Sequence, residues 1–275
     1  MKRLKLILQF EGSAFCGWQM QSQVQESTKS SVQYELENAL ATIFKSKQRI
    51  VVQGASRTDA GVHAQEFLAH ALVEDEIHFD KNCKELRRSL NGILPKSIAV
   101  MDCAWAKDFH ALKNTKSKTY RYQLWMSAGR RALHHEKYFF VPYDPADSKL
   151  SKSFSFELLK ACCDLVQGEH DFKCFVSSGS SAVNTVRVVD SVTLVRKAVS
   201  KHYYGEEVFL YFKGGGFLKQ MVRNLLGTML DVAKGKILIE DFKKLLFPVE
   251  SEYKRIQAGF CAPAAALFLE KVEFS

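Results

Sequence analysis

No stretch of this chain reaches the ~18 consecutive apolar residues that a membrane-spanning helix needs, and no Cys-x-x-Cys pair offers a zinc site. The seven cysteines (Cys16, Cys83, Cys103, Cys162, Cys163, Cys174, Cys261) are odd in number and lack paired spacing. That argues against a disulfide framework and leaves each as a small apolar core residue. The eight histidines show no metal-ligand spacing, and the adjacent His134 and His135 would face opposite ways on a strand. No metal is expected. A Gly-x-x-x-x-Gly-Lys-Ser/Thr run is missing, so a nucleotide P-loop is unsupported. An aspartic protease would need two equivalent Asp loops, and only one stands out.

What is present is the composition of a soluble globular protein: 275 residues, 47% hydrophobic and 25% charged, without disordered or collagen-like bias. The N-terminal Met1–Gly12 segment resembles a signal peptide superficially. Its apolar core is interrupted by Lys5 and Gln9 and closed by Glu11, so a strand in a cytoplasmic protein is expected. The net charge of +9 points to a polyanionic partner, most commonly a nucleic acid. On charge alone, a basic protein with no such partner stays open.

Periodicity predicts two similar halves, 1–106 and 107–275. In the first, Leu4–Glu11 reads as a strand and Ser31–Lys45 as a helix, with Ser30 and Gln33 resembling a capping box. Strands at Ile50–Val52 and Phe67–Val73, a helix through Leu86, Leu90 and Ile93 ended by Leu94-Pro95, and a strand at Ile98–Ala104 complete a βαββαβ order. The second half repeats it, with strands at Lys118–Trp125, Val186–Arg196, Glu207–Lys213 and Leu267–Glu273 and a helix at Phe156–Val166. An apolar helical stripe from Phe217 to Leu230 leaves Lys219, Gln220, Asn224 and Asp231 off it. Asp144–Ser155 and Val176–Ser181 read as flexible loops. The expected fold is α+β: two ferredoxin-like halves with antiparallel sheets flanking a central basic cleft.

Gly54–Ala64, Gly-Ala-Ser-Arg-Thr-Asp-Ala-Gly-Val-His-Ala, sits between two strands and carries more chemistry than a turn requires. Asp59 has two readings: a turn residue bonding nearby amides, which this window by itself favours, or a carboxylate nucleophile kept ionised by a nearby cation. Lys113–Arg121 holds four basic residues and ends in Tyr120-Arg121-Tyr122. Cations beside aromatics on a strand suit RNA, and a solvated basic loop before an ordinary strand suits the pattern equally. Gly214-Gly215-Gly216 reads as a close backbone crossing. Arg223, at the edge of the apolar stripe, either snorkels over its neighbours or reaches an acidic group across a groove.

Together these motifs resemble the tRNA pseudouridine synthase A family over nearly the whole chain. The resemblance rests on the Asp59 loop and on Phe10-Glu-Gly12, Phe15-Cys-Gly-Trp-Gln19, Ser31-Val-Gln33, Leu94-Pro95 and Phe109-His-Ala111. It continues through Tyr120-Arg-Tyr122, Gly168-Glu-His-Asp-Phe172, Met221-Val-Arg-Asn224 within Phe217–Gly227, and Ala262-Pro-Ala264 with Leu267. Departures are Ser56, Ala233 and Ala266 where the family usually has Gly, and Leu112 where it has Arg. The resemblance implies uridine isomerisation in tRNA, in the anticodon arm around positions 38–40, by a cofactor-free homodimer. Asp59 matches the nucleophile, Arg57 the residue that helps hold the base out, Tyr120 the one packing on the flipped uracil, Arg223 the carboxylate's partner and Leu267 an apolar wall. A non-catalytic RNA-binding protein and a synthase acting on ribosomal RNA are the alternatives.

Overall fold

Leu4, Leu6, Leu8 and Phe10 recur at every second position, and the strand they build, β1 (Lys2–Phe10), buries all four on one face. The computed structural model describes residues 2–20, 29–74, 82–180, 182–200, 202, 204–247 and 258–275. They form two units, one of Met1–Lys118 with Phe268–Ser275 and one of Thr119–Leu267. Ser181, the last residue of the expected serine-rich loop, lies outside the described residues.

The first unit follows the order β1, α1 (Val32–Phe44), β2 (Val52–Gly54), β3 (His63–Val73), α2 (Cys83–Ile93), β4 (Ile98–Ala106). β1 is central, antiparallel to β3 on one side and to β4 on the other. The short β2 pairs with β3. α1 is capped by Ser31, whose hydroxyl accepts the Tyr34 amide at 3.2 Å, rather than by Ser30. Gln33 is not a capping-box partner: its amide donates to the Val52 carbonyl at 2.9 Å. Glu37, one turn on, is buried and accepts the Val52 amide at 3.0 Å and Arg49 Nε at 2.6 Å. Two polar side chains of α1 thereby stitch the start of β2 to the helix. α2 begins at a capping box of Asn82 and Glu85 and stops before Pro95, as its missing N–H requires.

The second unit contains β5 (Thr115–Ser127), whose first residues belong to the first unit, then β6 (Phe139–Pro142), α3 (Ser148–Lys152), α4 (Phe156–Val166) and β7 (Gly168–Asp171). β8 (Val186–Ala198), β9 (Gly205–Gly214), α5 (Met221–Ala233) and α6 (Ile239–Leu246) follow. Its sheet runs β5-β9-β8-β7, with β6 parallel to β5. The last strand, β10 (Leu267–Phe274), pairs in parallel with β3 at Phe268↔His63 and Leu269↔Ala64.

Three further expectations change. The Asp144–Ser155 segment holds the short helix α3, capped by the Asp147 carboxylate on the amides of Lys149 and Leu150. α5 begins at Met221 and not at Phe217, because Gln220 adopts a left-handed backbone at φ 59. Asn224 and Asp231 are buried despite lying off the apolar stripe, so α5 is enclosed on nearly every side. The glycine run does make a close crossing: a Cβ on Gly214 would stand 2.7 Å from the Val188 carbonyl oxygen.

Phe109-His110-Ala111 docks on β3 through His70, whose buried Nδ1 accepts the Ala111 amide at 3.1 Å. Burial lowers the imidazole from its ordinary 6.5 to about 4, with His110 and Arg3 adding to the effect. Above pH 6.5 the ring is neutral folded or unfolded. As pH falls the unfolded state takes the proton first, so stability drops between pH 6.5 and about 4, by up to ~1.4 kcal/mol per pH unit. In urea unfolding across that window, His70→Asn should show the shallower loss; equal slopes in both proteins would contradict this assignment.

Candidate active site

Asp59 sits in the turn between β2 and β3, and its backbone is held from several directions. The Ala55 amide donates to Leu68 at 2.8 Å, the Trp18 amide to the Thr58 carbonyl at 3.1 Å, and the Val62 amide to the Asp59 carbonyl at 3.1 Å. Gly61 closes that last turn at φ 83, a region that favours glycine.

The Gly12–Trp18 segment lies directly against this loop. A Cβ on Gly12 would stand 1.9 Å from the Val62 carbonyl oxygen. Gly17 has φ +115, and a Cβ there would stand 2.9 Å from the Thr58 oxygen and 3.2 Å from the Ala60 nitrogen. Trp18 stacks on Phe67 of β3 at 4.1 Å between ring centroids, and Phe10 packs on the same ring at 5.4 Å. On its other side the segment meets the start of α1. The amides of Val32 and Gln33, which have no acceptor within the helix, donate to the carbonyls of Gly17 and Trp18 at 3.2 and 3.0 Å. A continuous hydrogen-bonded path therefore runs from helix terminus through Gly17-Trp18 to the residue before Asp59.

On that frame Arg57 is exposed, Thr58 buried and Asp59 half-buried. Ser56, where the resembling family carries glycine, is not among the residues with positive φ, so its side chain meets no left-handed strain. Leu112, the other departure, is largely exposed. His63 is buried and stacks on Phe268 at 4.6 Å.

In the second unit Arg223 is anchored instead of snorkelling: its Nε donates to the Ala262 carbonyl at 2.7 Å while the Ala262 amide donates back to the Arg223 carbonyl at 3.1 Å. Gly227, one turn later, permits this approach, since a Cβ there would overlap the Phe260 oxygen at 1.7 Å. The Gly259 amide donates to the Thr228 hydroxyl at 3.0 Å, and Asn224 Nδ2 donates to the Phe175 carbonyl at 2.7 Å. Tyr122 donates its phenol to the Pro263 carbonyl at 2.9 Å. Burial holds that phenol well above the ordinary tyrosine range, and the Arg223 charge opposes the rise. Tyr120 is buried edge-on to Phe217 with 5.2 Å between centroids. Leu267, buried, follows the short turn Ala264–Ala266.

One segment, Ala262-Pro263, thus receives Arg223 from α5 and Tyr122 from β5. Arg57 and Asp59 share one loop of the first unit. Trp18, Gln33, Glu37 and Asn224 support these side chains without having been singled out as site residues. Their signal was weak because each acts through a backbone group distant in sequence. Among the described residues no cluster of three His, Cys, Asp or Glu side chains could hold a metal ion.

A family model described as tRNA pseudouridine synthase matches residues 162–275. A tRNA pseudouridine synthase A of Clostridium botulinum is 33% identical over 278 residues, covering 99% of each chain. Its counterpart in Solidesulfovibrio magneticus is 36% identical over all of this chain and 92% of its own, and that of Chlamydia pneumoniae 34% identical over 100% and 93%. A chain from the crystal structure of a Cbf5-Nop10-Gar1 complex aligns with 10% identity and a TM-score of 0.33, over 73% of this chain and 40% of that one.

Gly17→Ala should cost ~1–3 kcal/mol of stability, from the strained φ and the contact with Thr58. Gly92→Ala, in a helix with open space around it, should be neutral or stabilising by up to ~1 kcal/mol. Urea midpoints measure both, and equal effects would mean that the segment against the Asp59 loop yields easily.

Proposed function

Because the chain belongs to the tRNA pseudouridine synthase A family, we propose that it isomerises uridine to pseudouridine in the anticodon arm of tRNA, with Asp59 as the nucleophilic carboxylate. Full-length similarity to relatives of that name carries this reading. The rigid seat of the Asp59 loop supports it, since a reacting carboxylate gains from being held before substrate arrives.

The reaction breaks the N1–C1′ bond, turns the uracil and joins C5 to C1′. N1 gains a proton and C5 loses one, so atoms and electrons balance without a co-substrate or cofactor. The uracil must first leave the helical stack, at roughly a few kcal/mol. Arg57, exposed on its loop, fills the space the base leaves, and Tyr120 packs on the extruded ring, with stacking contributing ~1–3 kcal/mol. Arg223 keeps the Asp59 carboxylate ionised, and Leu267 walls the uracil on its apolar side. In this reading the half spanning 1–106 supplies the Asp59 loop and 107–275 completes a basic cleft for the RNA. A homodimer working in the cytoplasm belongs to the same proposal, and sedimentation of the purified chain tests the dimer.

Asp59→Asn should bind tRNA as the wild type does and release no tritium from 5-labelled uridine; substantial turnover would remove Asp59 from its role. Arg223→Ala should lower turnover at least ~100-fold, in the range of a lost transition-state partner, and a near-normal rate would refute the pairing. Chemical mapping of pseudouridine in total RNA from a deletion strain identifies the target, and loss confined to ribosomal RNA would overturn the tRNA assignment.

A further inference from the structure

α2 is laid along β4 by contacts that recur at each helical turn. The Asn91 side chain brackets Val100, its Nδ2 donating to the carbonyl at 3.0 Å and its Oδ1 accepting the amide at 2.7 Å. One turn earlier, Arg87 Nη1 donates to the Met101 carbonyl at 2.9 Å. A further turn back, at the first residue of the helix, Cys83 meets Cys103. The Cys103 thiol donates to the Cys83 carbonyl at 3.1 Å and has the Cys83 side chain as a second hydrogen-bonding neighbour. Residues 83, 87 and 91 are four apart, so they share one face of α2. The two sulfurs are thus brought together by the same packing that seats the helix.

Both cysteines are free, and they differ in a way that suits thiol–disulfide exchange. Cys83 is half-buried, open on one side to a small reagent, whereas Cys103 is buried. Burial, with Cys83 and Asp102 adding to it and Arg87 opposing, pushes the Cys103 thiol up to about 12. A reagent from outside therefore neither reaches Cys103 nor finds it as a thiolate. Its reactivity comes from position: a group held against its target acts at an effective concentration of ~10⁵ M or more when well aligned.

We propose that Cys83 and Cys103 are a preformed dithiol that small disulfides oxidise to an intramolecular bond, locking the start of α2 to β4. The Cys83 thiolate attacks one sulfur of oxidised glutathione, whose S–S bond breaks and releases a glutathione thiolate. The Cys103 sulfur then gives up its proton, attacks the Cys83 sulfur and expels the second glutathione. Two cysteines lose two electrons, one disulfide is reduced to two thiols, and the two cysteine protons end on those thiols. The proposal is independent of the reaction assigned to Asp59, since α2 and β4 carry none of the residues given a role there.

The test treats the reduced full chain with oxidised glutathione, quenches with an alkylating reagent and maps the peptides by mass. A Cys83–Cys103 peptide lighter by two hydrogens is expected, and dithiothreitol should reverse it. Closing the 83–103 loop should raise the urea midpoint by roughly 0.5–1 M. Cys103→Ala should stall with glutathione on Cys83, and Cys83→Ser should leave Cys103 unmodified. Wild-type protein that keeps glutathione on Cys83 without forming the linked peptide would overturn the proposal. So would linkage of either residue to Cys16 or Cys261, or a linked protein with a lower urea midpoint, since the pair would then have been joined by distortion. If Cys103→Ala does not fold, Cys83→Ser decides: glutathione on Cys103 in that variant would remove Cys83 as the thiol attacked first and overturn the sequence proposed.

Discussion

The amide of Trp18 donates to the carbonyl of Thr58, and a glycine turn, a ring stack and the start of α1 converge on this one bond. Gly17 must turn through a positive φ to bring Trp18 there, and no side chain would fit between it and the Asp59 loop. The indole must stack on Phe67 for the segment to stay, and Phe67 is itself fixed in β3 opposite Leu8 of the central strand. The first amides of α1, lacking acceptors inside the helix, find them on Gly17 and Trp18. A requirement of helix geometry is thus met by the same backbone that seats the candidate nucleophile. The rigidity of a helix and a sheet reaches Asp59 through two glycines and a tryptophan.

Around α5 a similar solution is built from different groups. This helix is buried on nearly every side, so its polar residues must find partners within the protein. They find them on backbone: Arg223 on Ala262, Asn224 on Phe175, and the Thr228 hydroxyl on Gly259. Segments distant in sequence are bound to three positions of one helix, 223, 224 and 228. Glu37 and Gln33 of α1 do the same for Val52 at the start of β2. Gln33 and Glu37 act on the strand that leads into the Asp59 loop, and Arg223 and Thr228 on the stretch 259–262 that precedes Leu267.

Elements with a strong local rhythm were legible from residues alone. Leu4, Leu6 and Leu8 spell a half-buried strand, and the helix expected at Phe156–Val166 has those bounds. Where the outcome depended on something besides rhythm, the reading slipped. Phe217 and Leu218 continue the apolar period of α5, yet Gln220 breaks the helix with a left-handed backbone that no periodicity records. Ser-Lys-Leu-Ser-Lys at 148–152 has no apolar stripe, so its pattern is that of a loop although Asp147 caps a helix there. Ser30 and Ser31 are equally good caps on paper, and which hydroxyl meets a free amide depends on where the chain enters the helix.

The candidate site divides along the same line. Arg57, Asp59, Tyr120, Arg223 and Leu267 were visible as residues because motif and spacing are properties of short windows, and their family could be recognised from those windows. What holds them was not visible: Trp18 under Thr58, Asn224 on Phe175 and Ala111 on His70 join residues far apart in sequence. The sequence by itself therefore determined the strongly periodic elements, the candidate site residues and the family. Tertiary structure alone decided which backbone groups are satisfied by which side chains, because hydrogen bonding and burial depend on distances in space that the chain acquires only when it packs.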